Sequence, residues 1–416
     1  MIRNVTVIDV VSGAELPAMT VVTRGDQIVD FGTSVTVPSD ALQVDGTGQY
    51  LIPGLWDMHA HHQATGVEAT DLFVAKGVTG TRDMGGDLDF ILPLRDRIRR
   101  GEVLGPEIVA AGPILDAAPP DWPYRQRVTD SLEAIAAVRA LHERGVDFIK
   151  VHDHTPREAF VAIAAEARTV GLPLAGHVPG RISIEEAAAS GMRSIEHLSN
   201  FQVFMACSGG PAYSRDRCAD LFASLASNGV WQTPTVAFFR SMPETFSGRA
   251  VPHAAYASES LLELMRKNAE ASSLSEEALA FLRAASEASL GAIRDLVAGG
   301  SGILAGCDGL VPGFCLHDEL EWLTKAGLSP LQALQTATVN PARFLGREAT
   351  QGTIERGKRA DLVLLAANPL QSIDNVRRIE AVVVRGRLLR KAELDRIVAS
   401  HRRPDDAQGA GAAPGR

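Results

Sequence analysis

An α/β fold is predicted by three observations. Strand and helix patterns alternate through the middle of the chain, both ends change to strand-only patterning, and polar residues of ligand or catalytic type recur where the central strands end. Alternation of this kind implies a parallel sheet, and eight successive units imply a (β/α)8 TIM barrel. The predicted divisions are 1–52 for one half of a composite β-sandwich, 53–346 for the barrel, 347–400 for the other half of the sandwich and 401–416 for a disordered tail.

The N-terminal half rests on Val5-Thr-Val-Ile-Asp-Val, Thr20-Val-Val-Thr and Gln27-Ile-Val-Asp-Phe, which alternate in strand fashion between Gly and Pro turns. The first barrel strand ends the run Leu51-Ile-Pro-Gly-Leu-Trp-Asp-Met-His-Ala-His61. Val78–Asp83 and Glu107–Gly112 are the second and third strands. Asp130, with Glu133 three residues on, starts a helix that stops at Gly145, and Val146–His152 follows as strand four. Thr155-Pro-Arg-Glu158 supplies an N-cap, an N1 proline and a capping-box Glu for a helix ending at Gly171. Leu172–His177 is strand five, Ser183 caps the next helix, and Ser194–Leu198 is strand six. Trp231–Val236 and Gly302–Asp308 complete the eight, with the longest insertions at 200–229 and 239–275. Strand patterning returns at Gly352-Thr-Ile-Glu, Ala360–Leu365 and Ile379–Gly386. Residues from 401 onward are rich in small and polar types that bury little.

Composition excludes several classes. The 416 residues are 45% hydrophobic and 22% charged, ordinary for a globular enzyme, and the net charge of −9 comes with no basic stripe for nucleic acid. No apolar run is long enough to span a bilayer, and Met1–Val10 reads as a strand rather than a signal peptide. The four cysteines form no C-x-x-C pair, so a cytoplasmic setting is the default; Cys207 and Cys218 share a loop and would pair in an exported protein. The expected partner is a small-molecule substrate, with neither nucleic acid nor membrane, and homo-oligomerisation is left open.

The chemistry lies at the strand ends. His59 and His61 are two apart, so on a strand they share a face, and two convergent imidazoles suit a divalent metal. Lys150 ends strand four, His177 strand five, His197 strand six and Asp308 strand eight. A strand-end His more often satisfies a hydrogen bond, an Asp before Gly usually makes a turn, and a lone Lys is commonly an edge charge. In a barrel, however, these ends converge on the face where sites are built. Lys150 shares its face with Val146 and Phe148 and so points inward, where burial lowers an ammonium pKa.

These residues carry a resemblance. Pro53-Gly-Leu-Trp-Asp-Met-His-Ala-His, Thr81-Arg-Asp-Met-Gly-Gly, Phe148-Ile-Lys-Val, Gly176-His-Val-Pro, Ile195-Glu-His-Leu and Ala305-Gly-Cys-Asp resemble the amidohydrolase superfamily. Leu328–Ala342 and Gly357-Lys-Arg-Ala-Asp-Leu-Val match its C-terminal pattern. The likeness covers nearly the whole chain and is to the imidazolonepropionase-like and prolidase-like branch of binuclear metal hydrolases. It implies that His59, His61 and Asp308 hold one divalent metal, His177 and His197 a second, and that Lys150 is N-carboxylated and bridges them. Zinc is the expected metal. It further implies a hydroxide nucleophile between the metals, with Asp308 and Lys150 as the catalytic residues and Asp308 moving the proton to the leaving group.

The activity so implied is hydrolysis of an amide or peptide-like C–N bond in an N-acyl amino acid, a dipeptide-like compound or a xenobiotic amide. Ester, lactone or organophosphate hydrolysis at the same site is the alternative, and a non-catalytic scaffold is a third reading opposed by the intact ligand set. Dipeptidase-like relatives carry a tyrosine two residues after the strand-five histidine, where this chain has Pro179. Candidate substrate contacts are therefore His152 and the loop residues Trp122, Tyr124, Tyr213, Arg215 and Arg240, the arginines being able to grip a carboxylate. Arg82 and Asp83 are expected to pair with each other. His317 is read as a helix-start residue, and His62, His142, His154, His253 and His401 as non-ligands.

Overall fold

The structure, a computed structural model, describes residues 1–403 apart from 37, 38, 40, 119–123, 211, 247–251, 273, 309 and 310. The first strands are β1 (Ile2–Ile8), β2 (Glu15–Arg24), β3 (Gln27–Gly32), β4 (Val44–Asp45) and β5 (Tyr50–Pro53). The chain then enters the central region through β6 (Leu55–Ala60), β7 (Val78–Asp83) and β8 (Glu107–Ala110), which form a three-stranded parallel sheet. A second parallel sheet contains β9 (Ile114–Asp116), β10 (Arg125–Arg127), β11 (Ile149–Val151), β12 (Leu174–Gly176), β13 (Met192–Glu196) and β14 (Trp231–Thr233), in the order β10-β9-β11-β12-β13-β14.

The expected single ring is thus drawn as two arcs, and the reason is local. The predicted third strand bends at Gly112, whose φ of 71° takes it out of extended backbone, so β8 pairs with β7 while β9 pairs with β11. The predicted eighth strand makes only one bridge, between Gln232 and Ile303, but residues 302–308 hydrogen-bond to both arcs. Leu304 N donates to Gln232 O at 2.9 Å, Met58 N to Ala305 O at 2.8 Å and Asp308 N to His59 O at 2.7 Å. The pair β9 and β10 is an addition that sequence periodicity did not show.

β15 (Leu362–Leu365), β16 (Ile379–Val384) and β17 (Arg387–Arg390) return to the N-terminal strands. Both chain ends lie in one eight-stranded sheet, ordered β17-β16-β15-β5-β1-β2-β3 with β4 beside β1, joined where Leu51 faces Leu364 on antiparallel strands. Alternate residues (Val5, Val7, Val21, Leu51, Leu362, Leu364) point into one apolar core. The outer strand β3 folds back onto the C-terminal segment, with Ile28 N donating to Lys358 O at 2.8 Å, so the sheet wraps around that core.

Helices cover the parallel arcs. Asp130 caps Ser131–Arg144 through the amides of Leu132 and Glu133, and Ser183 caps Ile184–Ala189. Thr155 does not cap its helix, which spans Arg157–Val170 with Pro156 at the cap position. Its buried hydroxyl instead donates to His152 O at 2.8 Å and Leu115 O at 3.1 Å, bracing the end of β11. All four cysteines are paired, Cys207 with Cys218, the pairing that the sequence offered for an exported protein, and Cys307 with Cys315. The second pair was not foreseen; it spans the loop after Asp308 and brings Cα atoms to 5.7 Å. Among the described residues no helix is long and apolar enough to cross a membrane. His401 ends the last helix and meets Asp71 at 2.7 Å; the rest of the predicted tail, from 404, lies outside the described residues.

Candidate metal centre

The C-terminal ends of the parallel strands bring the predicted ligands together. His59 Nε2 lies 3.3 Å and His61 Nε2 3.4 Å from Asp308 Oδ1, while His197 Nε2 lies 3.7 Å from Asp308 Oδ2. The His59 and His197 ring centroids are 4.5 Å apart, and those of His177 and His197 are 4.9 Å apart. Three imidazoles therefore turn the same nitrogen toward one carboxylate, and the fourth packs edge-on against the group.

What orients them is the other ring nitrogen. His59 Nδ1 meets Glu196 Oε2 at 2.9 Å, His61 Nδ1 meets Gly85 O at 3.2 Å, His177 Nδ1 meets Asp153 Oδ1 at 2.9 Å and His197 Nδ1 meets Thr235 Oγ1 at 2.7 Å. An imidazole whose Nδ1–H is held by an acceptor carries its lone pair on Nε2, the arrangement typical of metal-ligating histidine. His59 Nε2 is buried and makes no hydrogen bond. Such a nitrogen lacks a partner that a cation would supply. Ligand atoms of His59, His197 and Asp308 all lie within 4.8 Å of one another, so the donor set fits a divalent ion.

The surrounding charges are buried. Burial alone would raise the Glu196 carboxyl, but the Arg82 guanidinium and His59 outweigh it and hold that carboxyl well below its usual range. Arg82 gives Glu196 two contacts of 2.8 Å and also binds Met58 O and Ser194 Oγ, tying β6, β7 and β13 together. Burial likewise opposes ionisation of Asp308, and the neighbouring His197 and His59 overcome it. Burial lowers His177 and His197 well below the ordinary imidazole value, leaving them neutral and able to ligate. Lys150 is 1% exposed, and burial brings its ammonium down to about 8. An amine so poised is neutral in a useful fraction of molecules near neutrality.

The remaining predicted contacts are distributed differently. His152 stacks on His177 with centroids 3.8 Å apart, beside the ligand group. The Tyr213 hydroxyl donates to Asp295 at 2.6 Å, and Arg215 lies 3.9 Å from the same carboxylate. Arg240 binds Glu287 at 2.5 Å and covers Trp322. Tyr124 is half-buried with left-handed backbone, φ 67°, and Trp122 lies outside the described residues. Arg82 and Asp83 do not pair, because consecutive strand residues face opposite ways; Asp83 instead accepts from His62 N at 2.8 Å. His317 sits in the first turn of Phe314–Lys325 and meets Lys76 O at 2.9 Å.

Sequence reasoning missed the residues that hold the histidines. Glu196 and Asp153 each adjoin a histidine that was singled out, and an acidic residue beside a strand-end His was the available signal. Thr235 carried none. Arg125 was also missed. It pairs with buried Asp116 at 2.6 Å and approaches His152 Nδ1 to 3.3 Å.

The parallel α/β fold gathers imidazoles, a carboxylate and a buried lysine at its strand ends, a donor set that could hold a divalent metal at that face. Residues 50–389 match the amidohydrolase family, and the chain belongs to it. Ochratoxinase of Aspergillus niger is 24% identical over 415 residues, covering 84% of this chain and 77% of that one. Imidazolonepropionase of Symbiobacterium thermophilum is 24% identical over 412 residues, covering 90% and 91%. Among solved structures, bottromycin amidohydrolase has a TM-score of 0.75 at 24% identity, covering 96% of this chain and 89% of that one. The A. niger ochratoxinase structure has a TM-score of 0.71 at 20% identity, covering 94% and 95%. These likenesses show the fold, and family membership makes the chain a hydrolase.

Proposed function

We propose that the protein is a binuclear metal-dependent hydrolase of amide or peptide-like C–N bonds in small molecules. The observation that carries this reading is the common orientation of the imidazoles, Nδ1 held and Nε2 turned inward, around Asp308. His59, His61 and Asp308 would hold one ion and His177 and His197 the other, on a barrel whose arcs close through residues 302–308 and the bend at Gly112. The divisions at 53, 347 and 401 follow from the same reading.

Lys150 is the residue that favours two ions over one. Its neutral amine adds carbon dioxide and loses a proton, giving an N-carboxylated side chain that exchanges a buried cation for an anion between the two ligand sets. A divalent pair, zinc being the first choice for this donor set, lowers the pKa of water and polarises a carbonyl. The chain's own part is proton handling and orientation. Asp308 takes the proton of the attacking water and returns it to the leaving nitrogen. Glu196, Asp153, Thr235 and Gly85 O keep each imidazole in its ligating tautomer.

For substrate, Arg125 replaces Arg215 and Arg240 as the candidate guanidinium, since it touches His152, which packs on His177, while it also pairs with the buried carboxylate of Asp116. The two disulfides favour an oxidising compartment over the cytoplasmic setting expected from the sequence. A screen of N-acyl amino acids, dipeptides, neutral amides and esters with zinc- or manganese-loaded enzyme tests the assignment. Turnover confined to amides supports it, and turnover confined to esters or phosphotriesters contradicts it.

A further inference from the structure

Five consecutive residues without a glycine, His197 to Phe201, have left-handed backbone, with φ of 59°, 47°, 48°, 53° and 72°. L-residues adopt this region singly, at turns, because the Cβ approaches the carbonyl oxygen. A run of five persists only where surrounding contacts over-determine it. Those contacts are specific. Ser199 Oγ accepts from Val178 N at 2.8 Å, and Asn200 Nδ2 donates to Asp153 Oδ2 at 3.1 Å. The Phe201 ring packs against Phe239 with centroids 4.6 Å apart.

The first two attachments share a destination. Val178 follows His177 directly, and Asp153 is the carboxylate that holds His177 Nδ1. The turn begins on His197. It therefore ties together the two histidines assigned above to one metal, through the backbone on one side and through a shared carboxylate on the other. Asn200 Nδ2 also lies 3.3 Å from His177 Nδ1. With Nδ1–H donating to Asp153, both nitrogens carry hydrogens, so the useful bond of Asn200 is the one to Asp153.

We infer that Asn200 is a positioning residue. The left-handed turn delivers its amide to Asp153, and Asp153 so held fixes the ring angle of His177 relative to His197. The inference rests on the proposed metal assignment. It goes beyond that assignment by giving the strained turn a task and by naming the side chain through which it acts.

Two substitutions separate positioning from mere folding. Asn200→Gly keeps a residue at ease with positive φ but removes the amide, whereas Asn200→Ala removes the amide and adds backbone strain. Metal affinity measured by chelator competition, together with the visible spectrum of cobalt-substituted protein, reports on the His177–His197 ion without reference to turnover. The expected result is an affinity for one of the two ions about tenfold weaker in both variants, with an altered cobalt spectrum. Thermal unfolding should meanwhile show the Gly variant to be the more stable of the two. If Asn200→Gly binds both ions as the parent does, the inference is overturned. A parent protein that binds fewer than two ions would instead overturn the metal assignment.

Discussion

His59 Nδ1 lies 2.9 Å from Glu196 Oε2, and the same carboxylate receives Arg82 at 2.8 Å. The chain Arg82–Glu196–His59 crosses three strands and is buried throughout. It makes Glu196 the residue through which the packing of the strands reaches a proposed ligand. Glu196→Gln retains the shape but removes the charge. Metal affinity should fall about 10- to 100-fold, as for loss of a carboxylate behind a ligating histidine. Stability should also drop by about 3 kcal/mol, because the Arg82 guanidinium is left buried without a counter-ion. Chelator competition and urea unfolding measure the two effects separately.

Gly306 lies where strand and site meet. A Cβ there would stand 2.7 Å from His59 Cβ and from Thr233 Cγ2, and 2.9 Å from His59 N. Since one of those atoms is backbone, His59 itself must shift. Gly306→Ala should cost about 1–3 kcal/mol, as overpacking does, and should lower bound metal more than its stability loss explains. Metal analysis of the folded fraction after gel filtration is the check.

Glu319 is fully buried, with Oε2 accepting from Ala237 N at 2.8 Å and Oε1 without a partner. Burial pushes its carboxyl up to about 8 from an ordinary 4.5. Between these values the folded protein holds a proton that the unfolded chain releases. This contribution to stability therefore falls as pH rises through that window. Glu319→Gln, which is neutral at every pH, should match the parent near pH 4.5 and exceed it increasingly toward pH 8. The gain is bounded at roughly 1.4 kcal/mol per pH unit. Melting curves across this range decide it, and a constant offset would count against the buried-proton explanation.

The sequence made the strand ends legible because His, Lys and Asp are conspicuous there and their spacing matches a strand's period. It also showed the terminal strands, since alternation at Val5–Val10 and Ala360–Leu365 follows the face that each buries. The bend at Gly112 was not legible, because Gly between apolar residues reads equally as the end of a strand. Glu196 was hidden by its neighbour. On a strand it faces away from the direction of Ile195, into the Arg82 network, and only the fold brings Arg82 to it across more than a hundred residues. Asn200 gave no signal at all, since its place depends on a left-handed run that no propensity forecasts. Arg215 and Arg240 were chosen for charge alone, and local carboxylates on neighbouring helices engage them instead.

The metal content of purified protein, compared with that of Lys150→Ala, tests the central claim most directly. Two ions per chain in the parent, falling below two in the variant, is the result expected if the buried amine becomes a bridge between two ligand sets. One ion per chain in the parent, unchanged in Lys150→Ala, would contradict it.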